Sequence, residues 1–279
     1  MAKILDGKQV AAALKTELAA RAAALRAQGG KFGLAIVLVE GDAASRVYTN
    51  ALVRLATSLG IPVVVEELAA DVSQSELHSV IDRLNDDDAI SGILPMMPLP
   101  AGLEADQLAL RLSPDKDVDA MHPLNVGLVA AGRSRWAPCT PRAVMAVLDY
   151  YGVELAGRPA VVIGRSNVVG KPLFHLLLAR SATVTVCHSK TKDLAAVVQQ
   201  ADIVVAAVGR PGLIGGGMIK PGAIVVDVGI NELDGKIVGD VDFAAVEKIA
   251  AAITPVPGGV GTVSNLMVMD AVLRPGRQG

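Results

Sequence analysis

The chain lacks most of what a metal, nucleic-acid or membrane protein needs. Aromatic residues make up only 3% of it, too few to stack nucleobases along a surface. Its 26 Lys and Arg face 28 Asp and Glu, for a formal net charge of −2, and no long basic block occurs. Both features argue against a nucleic-acid partner. Apolar runs such as Leu34–Val39 and Ile203–Val208 are far too short to span a bilayer. The opening stretch, Met1 to Lys8, carries charge and has no apolar signal core. A cytoplasmic protein with no membrane partner is therefore expected. The two cysteines, Cys139 and Cys187, lie far apart with no ligand spacing, which fits a reducing compartment. The four histidines (His78, His122, His175, His188) are scattered, without an H-x-x-x-H pair, so no metal site is expected.

Apolar residues account for 52% of the 279 positions and charged ones for 19%. That is enough core for two modest domains. Lys8–Gln28, rich in Ala and Leu and ended by Gly29-Gly30, predicts a helix. Leu34–Val39 predicts a buried strand, Ala43–Leu59 a helix and Ile61–Glu66 a strand. Ser73-Gln74-Ser75-Glu76 is a capping box opening a helix to about Asn85, and Ile90–Leu94 a strand before the proline-rich loop Pro95–Pro100. This alternation implies a mainly parallel sheet. A boundary near Gly132–Pro141, rich in Arg and Pro, precedes a second alternation. It comprises a helix to about Tyr150, strands at Ala160–Ile163, Thr183–Val186, Ile203–Ala207 and Ala223–Val228, and helices at Gly170–Arg180, Leu194–Gln199 and Asp242–Ala251. A last helical segment, Val263–Leu273, is expected to return to the N-terminal domain.

The most informative stretch is Val161-Val162-Ile163-Gly164-Arg165-Ser166-Asn167-Val168-Val169-Gly170-Lys171-Pro172. A β-branched run ends in a glycine turn, and a second glycine with a proline opens a helix. That is the layout of a dinucleotide site, where backbone amides at a helix N-terminus face a pyrophosphate. The spacing is G-x-S-x-x-x-G-x-P rather than G-x-G-x-x-G. The loop Cys187-His188-Ser189-Lys190-Thr191-Lys192 follows the next strand, where the adenine ribose lies in such a fold. No acidic residue occurs between Thr183 and Lys192. Hydroxyls, Lys190 and the Arg165 of the first turn suit a 2′-phosphate, so NADP is favoured over NAD.

With that motif in place, the chain resembles the bifunctional methylenetetrahydrofolate dehydrogenase/methenyltetrahydrofolate cyclohydrolase family. The resemblance runs from Leu5-Asp6-Gly7-Lys8 almost to the end. It takes in Ser45-Arg46-Val47-Tyr48, Gly92-Ile93-Leu94 with Pro98-Leu99-Pro100, and Pro114-Asp115-Lys116-Asp117-Val118-Asp119. It continues through His122–Gly127, Pro138–Arg142, Asp227–Asn231, Val238–Val241 and Thr254–Gly261.

The resemblance implies a homodimer of two α/β domains with a cleft between them. Residues 1–138, together with a C-terminal helix at 263–279, would bind folate, and a Rossmann-like domain at 139–262 would bind NADP. It implies that Tyr48 stacks on the folate ring system and Asp119 holds the pterin, the two acting as the catalytic pair. Met96, Leu99, Gly258 and Gly259 would complete the contacts to a tetrahydrofolate one-carbon derivative. Gly258 and Gly259 match a loop that closes over the cleft. The cofactor would lie against Gly164, Arg165, Ser166, Val169, Gly170, His188, Ser189, Val208, Gly209, Gly229 and Ile230. Arg165 and Ser189 match positions that receive the 2′-phosphate.

The departures from the family pattern fall almost entirely on the folate side. The lysine expected four residues after the tyrosine is Leu52, and the glutamine before Pro-Leu-Pro is Met96. Asp-Gly-Phe has become Asp119-Ala120-Met121, and Pro-Met-Thr after Gly261 has become Thr262-Val263-Ser264. Positions 48 and 52 share one helix face, so Leu52 stands where an ammonium group is expected, while Arg54 turns away. Hydride removal from a methylene bridge needs positioning and no general base. Water addition to the methenyl carbon needs proton transfer, which a lysine with a lowered pKa can supply and leucine cannot. The expected activity is therefore NADP-dependent oxidation of 5,10-methylenetetrahydrofolate with weak or absent cyclohydrolase. Two other readings fit the same substitutions: a paralogue that binds NADP and folate without turnover, and a dehydrogenase for a different one-carbon pterin carrier.

Overall fold

The computed structural model describes residues 1–133 and 137–274. Part of the expected domain boundary, at 134–136, and the end of the expected C-terminal helix, at 275–279, lie outside the described residues.

Local signals account for most elements of the first half. β1 (Lys3–Ile4) leads into α1 (Gly7–Ala27), which ends just before Gly29-Gly30. β2 (Leu34–Val39) is buried at every residue, as suits a continuous apolar run inside a parallel sheet. α2 (Ala43–Ser58) starts at Asp42, whose carboxylate accepts the Ser45 amide at 2.8 Å. After β3 (Val63–Leu68) comes α3 (Gln74–Asp86), opened by the expected capping box. Ser73 Oγ accepts the Glu76 amide, and the Glu76 carboxylate accepts the Ser73 amide. β4 (Gly92–Pro95), α4 (Ala105–Arg111) and α5 (Pro123–Ala130) follow.

The second half opens with α6 (Cys139–Tyr150), β5 (Pro159–Ile163), α7 (Gly170–Ala179), β6 (Thr183–Cys187), α8 (Leu194–Val198) and β7 (Ile203–Ala206). β8 (Ile224–Asp227) precedes an antiparallel hairpin of β9 (Asn231–Leu233) and β10 (Lys236–Val238). The helix expected over Asp242–Ala251 is confined to α9 (Phe243–Val246). Asp242 caps it through the Ala245 amide at 3.1 Å, but the chain then turns to place β11 (Ala252–Ile253) beside β8. Helix propensity in Glu247–Ala251 yields to strand pairing. α10 (Val260–Val272) closes the described chain.

These elements form two compact units. One holds Ala13–Leu128 and the chain from Asn265 onward, built on a parallel sheet in the order β3-β2-β4. Its core stacks Ala35, Val37, Ile93, Leu77 and Ile81. Within it, Ser91 Oγ donates to the Val272 carbonyl at 2.8 Å, and Arg21 reaches Asp270 at 2.6 Å. The other unit holds Met1–Ala12 and Val129–Ser264, built on a six-stranded parallel sheet in the order β1-β11-β8-β7-β5-β6. Motif order places residues 1–12 with the folate half. In the structure they cluster with the nucleotide half instead, because β1 pairs with β11 in the register Lys3↔Ala252 and Ile4↔Ile253. The Gly7 amide then donates to the Gly258 carbonyl at 2.9 Å.

The end of α3 leaves carbonyls without helical partners, and a lysine distant in sequence meets them. Lys116 Nζ donates to the carbonyls of Leu84, Asn85 and Asp87 at 3.1, 2.6 and 2.8 Å. Burial pushes its pKa down from the usual lysine value, and the nearby Asp87 carboxylate opposes that. Lys116→Met keeps the stem and removes the donors. It should cost about 2–3 kcal/mol, read as a lower urea midpoint with an unchanged slope. A loss within experimental error would mean that water serves these carbonyls equally well.

Candidate active site

Each unit gathers sequence-singled residues at the C-terminal ends of its parallel strands, the edge where open α/β sheets bind ligands. In the β3-β2-β4 unit the anchor is β4. Met96 follows it directly, is 6% exposed, and donates its amide to the Val37 carbonyl at 2.8 Å. The Asp117 segment runs parallel to β4 through a bridge at Ile93↔Asp117, with the Ile93 amide donating to the Lys116 carbonyl at 2.6 Å. That register carries half-buried Asp119 toward the Pro95–Met96 end of the strand. α2 reaches the same end, since Ser45 Oγ donates to Asp42 at 2.6 Å and approaches the Met97 carbonyl at 3.3 Å. Half-buried Tyr48 stands about one turn further along α2. Leu99 is half-buried against the sheet core.

The loop bearing Asp119 is held from beneath by Asp117, which is 1% exposed. Its carboxylate accepts the amides of Met121 and His122 at 3.0 and 2.8 Å and the Asn125 side-chain amide at 2.8 Å. Ala120 sits between them in the left-handed region, at φ 51°. There an alanine is strained and a glycine is not. The buried stripe of α2 is Ser45, Thr49, Leu52 and Ala56, with Leu52 at 0% exposure. Leu52 is thus core packing. Thr49 Oγ1 is buried without a hydrogen-bond partner among the described residues. Arg54 is exposed.

In the six-stranded unit, β5 is followed by Gly164, at φ 128°. A Cβ there would lie 2.2 Å from the Ala207 carbonyl oxygen, and one at Gly170 would lie 2.1 Å from that of Gly164. Only glycines let the strand end, the turn and the start of α7 approach so closely. Ser166 Oγ accepts the Val169 amide at 3.1 Å and approaches that of Gly170 at 3.4 Å, tightening the turn. Arg165 and Ser166 are exposed on it, and Val169 is half-buried. This is the cradle that a dinucleotide pyrophosphate requires, at the start of a ten-residue helix. Beyond β6, His188 donates its amide to Thr191 Oγ1 at 2.8 Å and accepts the Lys190 amide on Nδ1 at 3.2 Å, leaving Ser189 and Lys190 exposed.

Val208 and Gly209 follow β7, and Gly229 and Ile230 follow β8. Two buried aspartates lie beneath them. Asp227, 3% exposed, accepts the amides of Gly229, Asp240 and Val241 at 2.9, 3.0 and 3.0 Å. Asp240, 0% exposed, accepts those of Val208, Gly209 and Arg210 at 2.6, 3.0 and 2.8 Å and the Asn231 side-chain amide at 3.0 Å. Gly258, at φ 106°, and buried Gly259 lie in the same unit, beyond β11.

Asp117, Asp227 and Asp240 each lie in a stretch that resembles the family, yet the resemblance points to none of them as a site residue. The available signal was an aspartate embedded in an apolar run, as in Ile224-Val225-Val226-Asp227-Val228-Gly229 and Ile237-Val238-Gly239-Asp240-Val241. A carboxylate in such a run must be buried and must find donors.

Comparison with known proteins decides the family. The tetrahydrofolate dehydrogenase/cyclohydrolase catalytic-domain model matches residues 5–119, and the NAD(P)-binding-domain model of the same family matches 138–278. The bifunctional protein FolD of Bordetella avium is 51% identical over 274 residues, covering 98% of this chain and 96% of that protein. The chain belongs to this family. A crystal structure of the bifunctional FolD enzyme from Campylobacter jejuni superposes with a TM-score of 0.96 at 42% identity, covering 98% of each chain. The Trypanosoma brucei enzyme, solved with NADP and an inhibitor, gives 0.92 at 38% identity over 98% of this chain and 96% of that one. Membership makes the chain an enzyme of the dehydrogenase/cyclohydrolase type, with a Rossmann-like unit for a nicotinamide dinucleotide.

Asp227 carries a measurable consequence. Burial pushes its carboxyl up to about 6, helped by the neighbouring Asp240 charge and opposed by the three amides. An unfolded aspartate titrates near 3.8, so the folded chain holds the extra proton between pH 6 and 4. This group therefore adds stability as pH falls through 6, complete below pH 4, and at neutral pH its ionised form costs up to about 3 kcal/mol. Asp227→Asn removes the titration. The stability of the parent relative to that variant should rise between pH 7.5 and 5, and parallel pH curves would show that burial does not dominate.

Proposed function

We propose that the chain oxidises 5,10-methylenetetrahydrofolate to 5,10-methenyltetrahydrofolate with NADP, and that its cyclohydrolase activity is weak or absent. The observation that carries this reading is that the apolar Leu52 and Met96 are both buried, at 0% and 6% exposure, while Tyr48 and Asp119 are present.

The two steps differ in what they ask of side chains. In the oxidation, a C–H bond of the bridge breaks, its electron pair leaves as hydride, and the flanking folate nitrogens share the resulting positive charge. The nicotinamide ring, when bound, supplies the acceptor for that hydride. Tyr48 offers a face for the ring system and Asp119 an acceptor for the pterin, which together amount to orientation. Hydrolysis adds water to the methenyl carbon and moves protons, which needs a group able to accept and return them. Leucine and methionine have none. The Thr49 hydroxyl on the same helix face is no base at neutral pH.

Support for NADP comes from the exposed Arg165, Ser189 and Lys190, from the absence of any acidic residue between Thr183 and Lys192, and from the NADP held by the trypanosomal relative. Arg165→Ala should raise the KM for NADP by about 10- to 100-fold, the loss of one charge-assisted contact, and leave that for NAD nearly unchanged. An equal effect on both cofactors would place Arg165 away from the 2′-phosphate.

The deciding assay supplies purified protein with methylenetetrahydrofolate and NADP and follows reduced cofactor and methenyl product separately. Both should accumulate together, with no decay of the methenyl band beyond the uncatalysed rate. Leu52→Lys with Met96→Gln should then raise methenyl hydrolysis by about 100-fold or more. Rapid hydrolysis by the parent protein would overturn the proposal. Binding of both ligands without reduced cofactor would identify a non-catalytic paralogue.

A further inference from the structure

The hydride step uses neither Asp227 nor Asp240, yet both are buried under loops that the cofactor reading places against the dinucleotide. Asp240 makes the unusual contacts. Its Oδ2 accepts the amides of Val208 and Gly209, and its Oδ1 accepts those of Arg210 and the Asn231 side chain. Three consecutive backbone donors after β7 thus converge on one carboxylate. The segment carrying Asp240 is itself fixed, because Asp227 at the end of β8 accepts the Asp240 and Val241 amides. Thr254 Oγ1 in turn accepts the Asp227 amide at 2.7 Å. The backbone at 229 and 239 makes room for both carboxylates. A Cβ at Gly229 would lie 2.4 Å from Asp240 Oδ1, and one at Gly239 would lie 1.8 Å from Asp227 Oδ2.

The sheet order says which part of the dinucleotide this serves. β5 carries the pyrophosphate turn, with β6 on one side of it and β7 then β8 on the other. With the adenine ribose beside β6, the nicotinamide half extends over the ends of β7 and β8. We infer that Asp240 is a positioning residue for the nicotinamide half of the cofactor, acting through the amides of Val208, Gly209 and Arg210 and held in place by Asp227. It need not touch the ligand. It replaces the hydrogen-bond ladder that the chain leaves at Ala206, so the loop stands ready before the cofactor arrives.

This inference rests on the cofactor reading above, and the test separates the two. Asp240→Asn keeps the shape, but its amide end is a donor that must face other donors on one side or the other. Binding of NADP is compared with that of adenosine 2′,5′-bisphosphate, which lacks the nicotinamide half. The variant should bind NADP about tenfold or more weakly, because ordering the loop then draws on binding energy, and the bisphosphate within about twofold of the parent. Equal weakening of both ligands, or of neither, would overturn the inference. Failure of the parent to bind NADP would instead defeat the cofactor reading. Should the variant not fold, hydrogen exchange in the parent decides. The amides of residues 208–210 should be protected in the free protein and gain little on adding NADP. Free exchange that is quenched only by the ligand would mean that the ligand, not Asp240, orders the loop.

Discussion

A backbone amide that leaves a β-ladder at the end of a strand still needs an acceptor, and at three strand ends or loops of this chain the acceptor is a buried carboxylate. Asp117 serves the loop that bears Asp119, Asp227 the segments after β8 and β10, and Asp240 the loop after β7. A carboxylate suits this position because both oxygens accept and neither donates, so one side chain can gather three or four N–H groups from different segments. Asparagine has the same shape but would set a donor against donors. The tips of these loops can then be open and irregular while their bases stay fixed. That geometry suits a site whose proposed cofactor residues, such as Arg165, Ser189, Gly209 and Ile230, are exposed.

Burying a carboxylate carries an electrostatic penalty, visible in the raised pKa of Asp227. The surrounding sheet offsets it. Ile203, Val204, Val205, Val225 and Val226 are all at 0% exposure, and each fully buried aliphatic side chain contributes about 1.5–3 kcal/mol. Stability gained in the strands is set against order at their ends. The same trade recurs on a smaller scale at half-buried Lys116, whose ammonium group closes α3 against three carbonyls.

Elements with a strong local signal were legible in the sequence. The Ser73 capping box, the buried run Leu34–Val39 and the Gly164–Gly170 turn each express a rule that works within a dozen residues, and each stands where the pattern puts it. What escaped depends on partners distant in the chain. Lys3–Ile4 is a strand only because Ala252–Ile253 lies beside it, and Ala252–Ile253 is a strand only because β8 does too. For the same reason the helical pattern of Asp242–Ala251 is cut short at Val246. The roles of the buried aspartates were hidden likewise. Asp117 sits in a charged stretch, and its partners Met121, His122 and Asn125 become visible only once the chain has turned back on itself.

The substitutions on the folate side fall on a different kind of residue. Asp117, Asp227 and Asp240 hold backbone, and this chain has them. Positions 52 and 96 would carry a proton-transfer pair in the family pattern, and this chain fills them with side chains that complete the core. A buried lysine needs neighbours that stabilise its charge or lower its pKa, so losing its glutamine partner removes a reason to keep the amine. Apolar groups at both positions carry no desolvation penalty, and the residues proposed to orient the ring system, Tyr48 and Asp119, are unchanged by them. Hydride transfer depends on that orientation and on the dinucleotide wall. Hydrolysis depends on a proton carrier, which in the proposed reading neither Leu52 nor Met96 can be. The two activities draw on separable physical resources, orientation and proton transfer, so a single scaffold can shed one without disturbing the other.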